Sequence, residues 1–81
     1  MLEVNLTGSL RDAADGAASI RLEATTIREL LRKLVERYPR MAARVEEGVA
    51  VSINGDIFRD HWAEPIPADA EIFLLPRIQG G

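Results

Sequence analysis

Apolar residues at Leu2, Val4 and Leu6 alternate with Glu3 and Asn5 at the start of the chain. This is the period of a strand with one buried face. Thr7-Gly8-Ser9 breaks the alternation. Ser9 and Asp12, three residues apart, resemble a capping pair and predict one or two helical turns over residues 9–14, closed by Asp15-Gly16. Ile20 and Leu22 then alternate with Ser19, Arg21 and Glu23, giving a second strand. The connection is long enough to return it antiparallel to the first.

The main helix has a defined start and stop. Thr26 at the N-cap and Glu29 three residues on form a capping box, each side chain able to satisfy a backbone N–H that has no helical partner. Ile27, Leu30, Leu31, Leu34, Val35 and Tyr38 follow at the spacing that lines one helical face. Glu29 and Lys33 pair at i, i+4 on the solvent side. Pro39 disfavours helical geometry at Tyr38 and ends the helix. A second short helix over residues 40–47 offers Met41 and Val45 to the core before Gly48.

Val49, Val51 and Ile53 alternate with Ala50 and Ser52 and run into Asn54-Gly55, a strong hairpin signal, with Ile57 and Phe58 opening the return strand. Residues 60–69 read as a loop holding Pro65, Pro67, His61 and Trp62. One histidine without ligand-spaced companions makes no metal site. Trp62 is expected to lid the core and His61 to face water. Glu71-Ile72-Phe73-Leu74-Leu75 is apolar on both faces, which places this last strand mid-sheet, with parallel pairing to a neighbour. One face would meet the helix. The other would present Phe73 and Leu75 as an apolar patch of the kind that marks a partner site, unless the loop around Trp62 covers it. Two strands, a helix and three strands, the last central, predict an α+β fold. It is a mixed sheet of about five strands on one main helix, the arrangement of the ubiquitin-like β-grasp.

Composition narrows the chemistry. Eighty-one residues, 47% hydrophobic, suit one small domain. With no cysteine there is neither a disulfide nor a thiolate metal site, and any sulfur chemistry must use another group. Thirteen acids against nine arginines and one lysine give a net charge of −3, mixed along the chain, with no basic run of the kind that tracks phosphates. Nucleic acid is therefore not an expected partner. No apolar stretch approaches the length of a membrane span and no export signal precedes the first strand, so the expected location is the cytoplasm, without a membrane partner.

The remaining chemistry is at the end, Leu74-Leu75-Pro76-Arg77-Ile78-Gln79-Gly80-Gly81. Pro76 cannot donate a ladder hydrogen bond and is a natural exit from a sheet. The five residues beyond it can extend roughly 3.3–3.6 Å each. Gly80 and Gly81 lack a Cβ, so the tip is thin and tolerant of unusual dihedrals. The expected division is a β-grasp domain over residues 1–76 and a flexible Gly-Gly tail over residues 77–81, with the terminal carboxylate of Gly81 as the functional group. The competing reading is a frayed, inert end.

Five stretches, in this order and spacing, carry a family resemblance: Gly8-Ser9-Leu10-Arg11, Thr26-Ile27-Arg28-Glu29-Leu30-Leu31, Glu36-Arg37-Tyr38-Pro39, Val51-Ser52-Ile53-Asn54-Gly55, and Leu74-Leu75-Pro76 with Gly80-Gly81. Together they span essentially the whole chain. The sequence resembles the ubiquitin-like sulfur carriers, the group holding the small subunit of molybdopterin synthase and the thiazole-synthesis carrier. The helical insert after the first strand and the overall length are more similar to the molybdopterin type. Arg77, Ile78 and Gln79 depart from that type, which tends to have a second proline or small residues there. A receiving channel must then take a long cation and an amide.

The resemblance implies a carrier rather than an enzyme, with no bound cofactor and no metal. A ubiquitin-activating-type adenylyltransferase would use ATP to convert the Gly81 carboxylate to an acyl-adenylate. A sulfur donor would displace AMP to leave a terminal thiocarboxylate. The tail would then enter a sulfur-accepting enzyme such as the molybdopterin synthase large subunit. Gly81 and Gly80 would carry the chemistry, and Phe73, Leu75, Pro76, Arg77, Ile78 and Gln79 would meet the partners. Alternatives are a carrier serving thiazole, cysteine or another sulfur pathway, a modifier joined to lysines through Gly81, and an interaction module with an inert tail.

Overall fold

A computed structural model describes residues 1–59 and 61–76. The elements run β1 (Leu2–Leu6), α1 (Ser9–Ala13), β2 (Ser19–Leu22), α2 (Ile27–Arg37), α3 (Met41–Glu47), β3 (Val49–Ile53), β4 (Asp56–Phe58) and β5 (Glu71–Pro76). The strands form one sheet in the order β2-β1-β5-β3-β4. β5 lies at its centre, parallel to β1 and antiparallel to β3, while β1–β2 and β3–β4 are antiparallel pairs. The mixed sheet, the main helix and the central last strand are those expected from the hydrophobic pattern.

One core forms on one face of this sheet. Leu2, Val4 and Leu6 from β1, Ile20 and Leu22 from β2, Val51 and Ile53 from β3, and Ile72 and Leu74 from β5 are buried there. Leu10 of α1, Ile27, Leu30, Leu31 and Leu34 of α2, and Met41 of α3 close over them. Helix α2 is amphipathic, so four apolar positions suffice to seat it, and burial of each contributes about 1.5–3 kcal/mol before entropy is counted.

The start of α2 is fully satisfied. Its first three N–H groups find the Glu64 carbonyl (from Ile27, 3.1 Å), the Trp62 carbonyl (from Arg28, 2.9 Å) and the Thr26 hydroxyl (from Glu29, 3.2 Å). The loop after β4 therefore supplies two acceptors to donors that a helix cannot satisfy internally. It also makes an isolated antiparallel bridge, Thr26 to Pro65. Glu29 reaches one residue further back than a capping box requires, accepting from the Thr25 N–H (2.6 Å) and the Thr25 hydroxyl (3.2 Å). Trp62 is half-buried against the core and His61 is exposed, its ring edge-on to Phe58 at 5.9 Å.

Two further local expectations need correction. Ser9 does not cap α1: it is the first helical residue, and Gly8 occupies the cap with φ 55° and ψ −133°, without a side-chain bond. That backbone region is open to glycine and closed to serine. The second short helix begins at Met41, with Arg40 at its cap instead of inside it. Arg40 instead bonds the Asp12 carbonyl (2.7 Å) and the Asp15 carboxylate (2.8 Å), which joins α3 to the end of α1. The Asn54-Gly55 turn behaves as read, with positive φ at both residues (49° and 95°) and Ile53 opposite Asp56.

The hydrogen bond from the Thr25 N–H is the leading reason that the Glu29 carboxyl sits below its usual range; the Thr25 hydroxyl, Lys33 and Arg32 add to it, against some desolvation. A lowered folded-state value stabilises above the unfolded value and is lost as pH falls through the folded one. Glu29→Gln should therefore lower Tm at pH 7. The gap from the parent should close below about pH 4.3, the ordinary glutamate value, in thermal melts across pH. Thr26→Ala should cost about 1 kcal/mol in denaturant titrations at any of these pH values.

Candidate functional site

The candidate site follows from strand alternation in β5. Ile72 and Leu74 point into the core at 0% and 1% exposure, so Phe73 and Leu75 point to the opposite face of the sheet. Phe73 stays 37% exposed and Leu75 is half-buried. The loop carrying Trp62 packs against the core side at the start of α2, so it does not cover Phe73.

Register shows what lies beside them. Phe73 is opposite Ser52 on β3 and Asn5 on β1, and Ser52 is in turn opposite Ile57 on β4. Leu75 is opposite Ala50. An apolar strip therefore runs from Ile57, 57% exposed, over the small buried side chains of Ser52 and Ala50 to Phe73 and Leu75. Towards β1 and β2 the same face turns polar, with Asn5 and Ser19 in one row and Glu71, Glu3 and Arg21 in the next. Asn5 donates to the Ile72 carbonyl (3.0 Å), and the Asn54 side chain accepts from the Glu71 N–H (2.9 Å). Both bonds hold β5 in register.

The strip leads to the end of β5. Pro76 is half-buried and opposite Val49, at the last rung of the β3 pairing. Arg77, Ile78, Gln79, Gly80 and Gly81, together with the expected flexible tail, lie outside the described residues. The structure thus brings Phe73 and Leu75 into one surface and adds Ile57, which the sequence reading left unassigned, while Pro76, opposite Val49 and beside Gly8, lies at the strand end on the helix side of the sheet. The orientation of Ile57 was available: counting outward from Asn54-Gly55 puts it opposite Ser52, away from the face of Ile53. What was missing was the β3–β5 pairing that sets Phe73 between Ser52 and Asn5.

Little else here carries chemistry. Among the described residues no three of His, Asp and Glu are grouped as metal ligands, and none of the buried side-chain polar atoms is unpaired. No helix of the described residues is long and apolar enough to cross a membrane. An open hollow of about 360 Å³ lies beside Leu2, Thr25, Glu29, Lys33 and Ile66, at the end of β1 remote from Pro76.

The ThiS family model matches residues 4–81. Among solved structures, SAMP1 of Haloferax volcanii is 26% identical, with a TM-score of 0.80 over 99% of this chain and 98% of that one. A chain of the BexX/CysO complex of Amycolatopsis orientalis is 20% identical, with a TM-score of 0.81 over 100% of both. A chain from the complex of subunits 1 and 2 of molybdopterin-converting factor of Helicobacter pylori is 21% identical, with a TM-score of 0.68 over 99% and 97%. No curated protein sequence matches the chain. At these identities the last two likenesses concern the fold, which is the ubiquitin-like β-grasp.

If the strip is a surface and not a second core, Phe73→Ala should change unfolding free energy by no more than about 1 kcal/mol. Ile72→Ala, one residue away, should cost about 2–5 kcal/mol. Chemical denaturation of the two variants checks the contrast.

Proposed function

The chain belongs to the ThiS family of ubiquitin-like sulfur carriers, and on that premise we propose that it delivers sulfur from a thiocarboxylate formed at Gly81. Family members are small carrier proteins and not catalysts. The observation that carries the reading is the uncovered strip of Ile57, Phe73 and Leu75, part of it on the strand whose last residue, Pro76, shortly precedes Gly80-Gly81 in the sequence. A partner seated on the strip would find the last residues within its reach.

The chemistry follows from the weakness of a carboxylate as an electrophile. A terminal carboxyl has a pKa of about 3.5 and is an anion near neutral pH. In the proposed cycle an adenylyltransferase joins it to AMP, with release of pyrophosphate from ATP. A donor at the oxidation level of sulfide then forms the carbon–sulfur bond as the bond to AMP breaks, so no net redox change is required. The thiocarboxylate sulfur is a soft nucleophile on a folded handle. Glycines at positions 80 and 81 keep side chains away from the attacked carbonyl and from the walls of a narrow channel. The polar margin around Glu3 and Glu71 would suit a partner with basic groups beside an apolar seat.

The assignment proposed first is the small subunit of a molybdopterin synthase, acting in the cytoplasm with a larger subunit that accepts the tail. The helical insert of α1 between β1 and β2 supports it, as does the likeness to a chain of the molybdopterin-converting factor complex. Arg77, Ile78 and Gln79 are then the residues that read its channel. The likeness to SAMP1, a small archaeal modifier protein, favours a second reading, in which Gly81 is joined to lysines of other proteins.

Mass spectrometry of the protein from its native host separates these. An oxygen-to-sulfur exchange at the terminus is expected for the carrier, whereas a branched lysine adduct would establish the modifier, and an unmodified end would sink both. Deleting Gly81 should leave folding unchanged and abolish sulfur transfer; transfer by the truncated chain would contradict the carrier reading. Gly80→Val should slow adenylation by more than tenfold with Tm unchanged, and an adenylation rate equal to that of the parent would rule out threading into a narrow channel.

A further inference from the structure

The two neighbours of β5 do not support it over the same length. β3 accompanies it to the end, with Ala50 opposite Leu75 and Val49 opposite Pro76. β1 stops earlier, its last rung being Leu6 opposite Leu74. Leu75 and Pro76 therefore leave the sheet with a strand on one side only, and Pro76 has no N–H with which to hold itself.

The missing side is filled by the two residues after β1. The Thr7 hydroxyl donates to the Leu74 carbonyl at 3.2 Å, in a half-buried position. Gly8, at φ 55° and ψ −133°, turns the chain into α1 directly beside Pro76; a Cβ added to it would lie 3.7 Å from the proline Cγ. A residue with a side chain would not hold that backbone, and a different turn would move α1 from the strand end. From this we infer that Thr7 and Gly8 are positioning residues, a rest against which Leu74 to Pro76 lie and which fixes the direction in which the chain departs.

The inference rests on the carrier reading for its consequence. Docking would be set chiefly by Ile57 and Phe73, which the rest does not touch. Entry of the terminus into the partner depends on where the chain is aimed once docked. A loosened exit spreads the chain ends over more directions and lowers their effective concentration in the channel. The rest should therefore act on turnover and leave affinity alone.

Thr7→Val keeps the branched shape and removes the hydroxyl; Thr7→Ser keeps the hydroxyl. With the native host's adenylyltransferase and ATP, pyrophosphate exchange at saturating carrier should fall about two- to tenfold for Thr7→Val, the range of one net hydrogen bond. Thr7→Ser should restore it, and the Kd for docking should be the same for all three proteins. Nitrogen-15 relaxation should show lower order at the Leu75 amide in Thr7→Val alone. Unchanged order at Leu75, or an unchanged exchange rate, would overturn the inference, as would a loss confined to Kd. A parent protein that supports no exchange would instead overturn the carrier reading, and the Leu75 measurement would then decide the rest by itself.

Discussion

β5 is the piece that the other strands require. It enters between β1 and β3, and without it the sheet would be two separate hairpins. Its inner side chains, Ile72 and Leu74, are among the most buried in the molecule and meet all three helices' apolar faces through one core. An isolated two-stranded hairpin is marginal in water, so β1–β2 and β3–β4 depend on being joined. The join is also remote in sequence: Asn5 and Ile72, linked across it, are 67 residues apart. The fold is closed by its last described segment.

That placement explains why the surface strip is where it is. A central strand is hydrogen-bonded on both edges, so its only free expression is through side chains, alternately in and out. The inward set is spoken for by the core. The outward set, Phe73 and Leu75, has no helix above it because α1, α2 and α3 all contribute to the other face. The loop that could have crossed over is held elsewhere, by the carbonyls of Trp62 and Glu64 on the first turn of α2. Satisfying a helix end on one face thus leaves an apolar face bare on the other.

The parts legible in the sequence were those decided by neighbours a few residues apart. The Asn54-Gly55 turn, the Thr26 cap and the stop at Pro39 depend on local dihedrals and side-chain reach, and they appear where the residues place them. The central position of β5 was legible for another reason: a strand apolar on both faces has few other places to go. Gly8 was missed because Ser9 is the better cap by chemistry, whereas the turn into α1 takes a backbone at φ 55° and ψ −133° that only glycine holds. Glu29 bonding Thr25 in place of Thr26 is a difference of one residue in reach. Ile57 joined the strip only once β3 and β5 were paired, a contact between positions some twenty residues apart.

Alternation also separates the side chains that hold the domain together from those that the proposed function gives to a partner. Positions 72 and 74 cannot change without a core defect, whereas the exposed Ile57 and Phe73 should be replaceable at a smaller cost in stability. On β5 the inward and outward positions are interleaved one residue apart, so a register slip of one would exchange them and expose Ile72 and Leu74. The Asn5 and Asn54 side-chain bonds to the backbone of β5 act against that slip. A β-grasp domain with its register pinned in this way can keep one core and vary its outward residues from partner to partner. The fold shared with the family therefore fixes where β5 ends, and on the proposed reading the strip together with residues 77–79 would decide which partner is met.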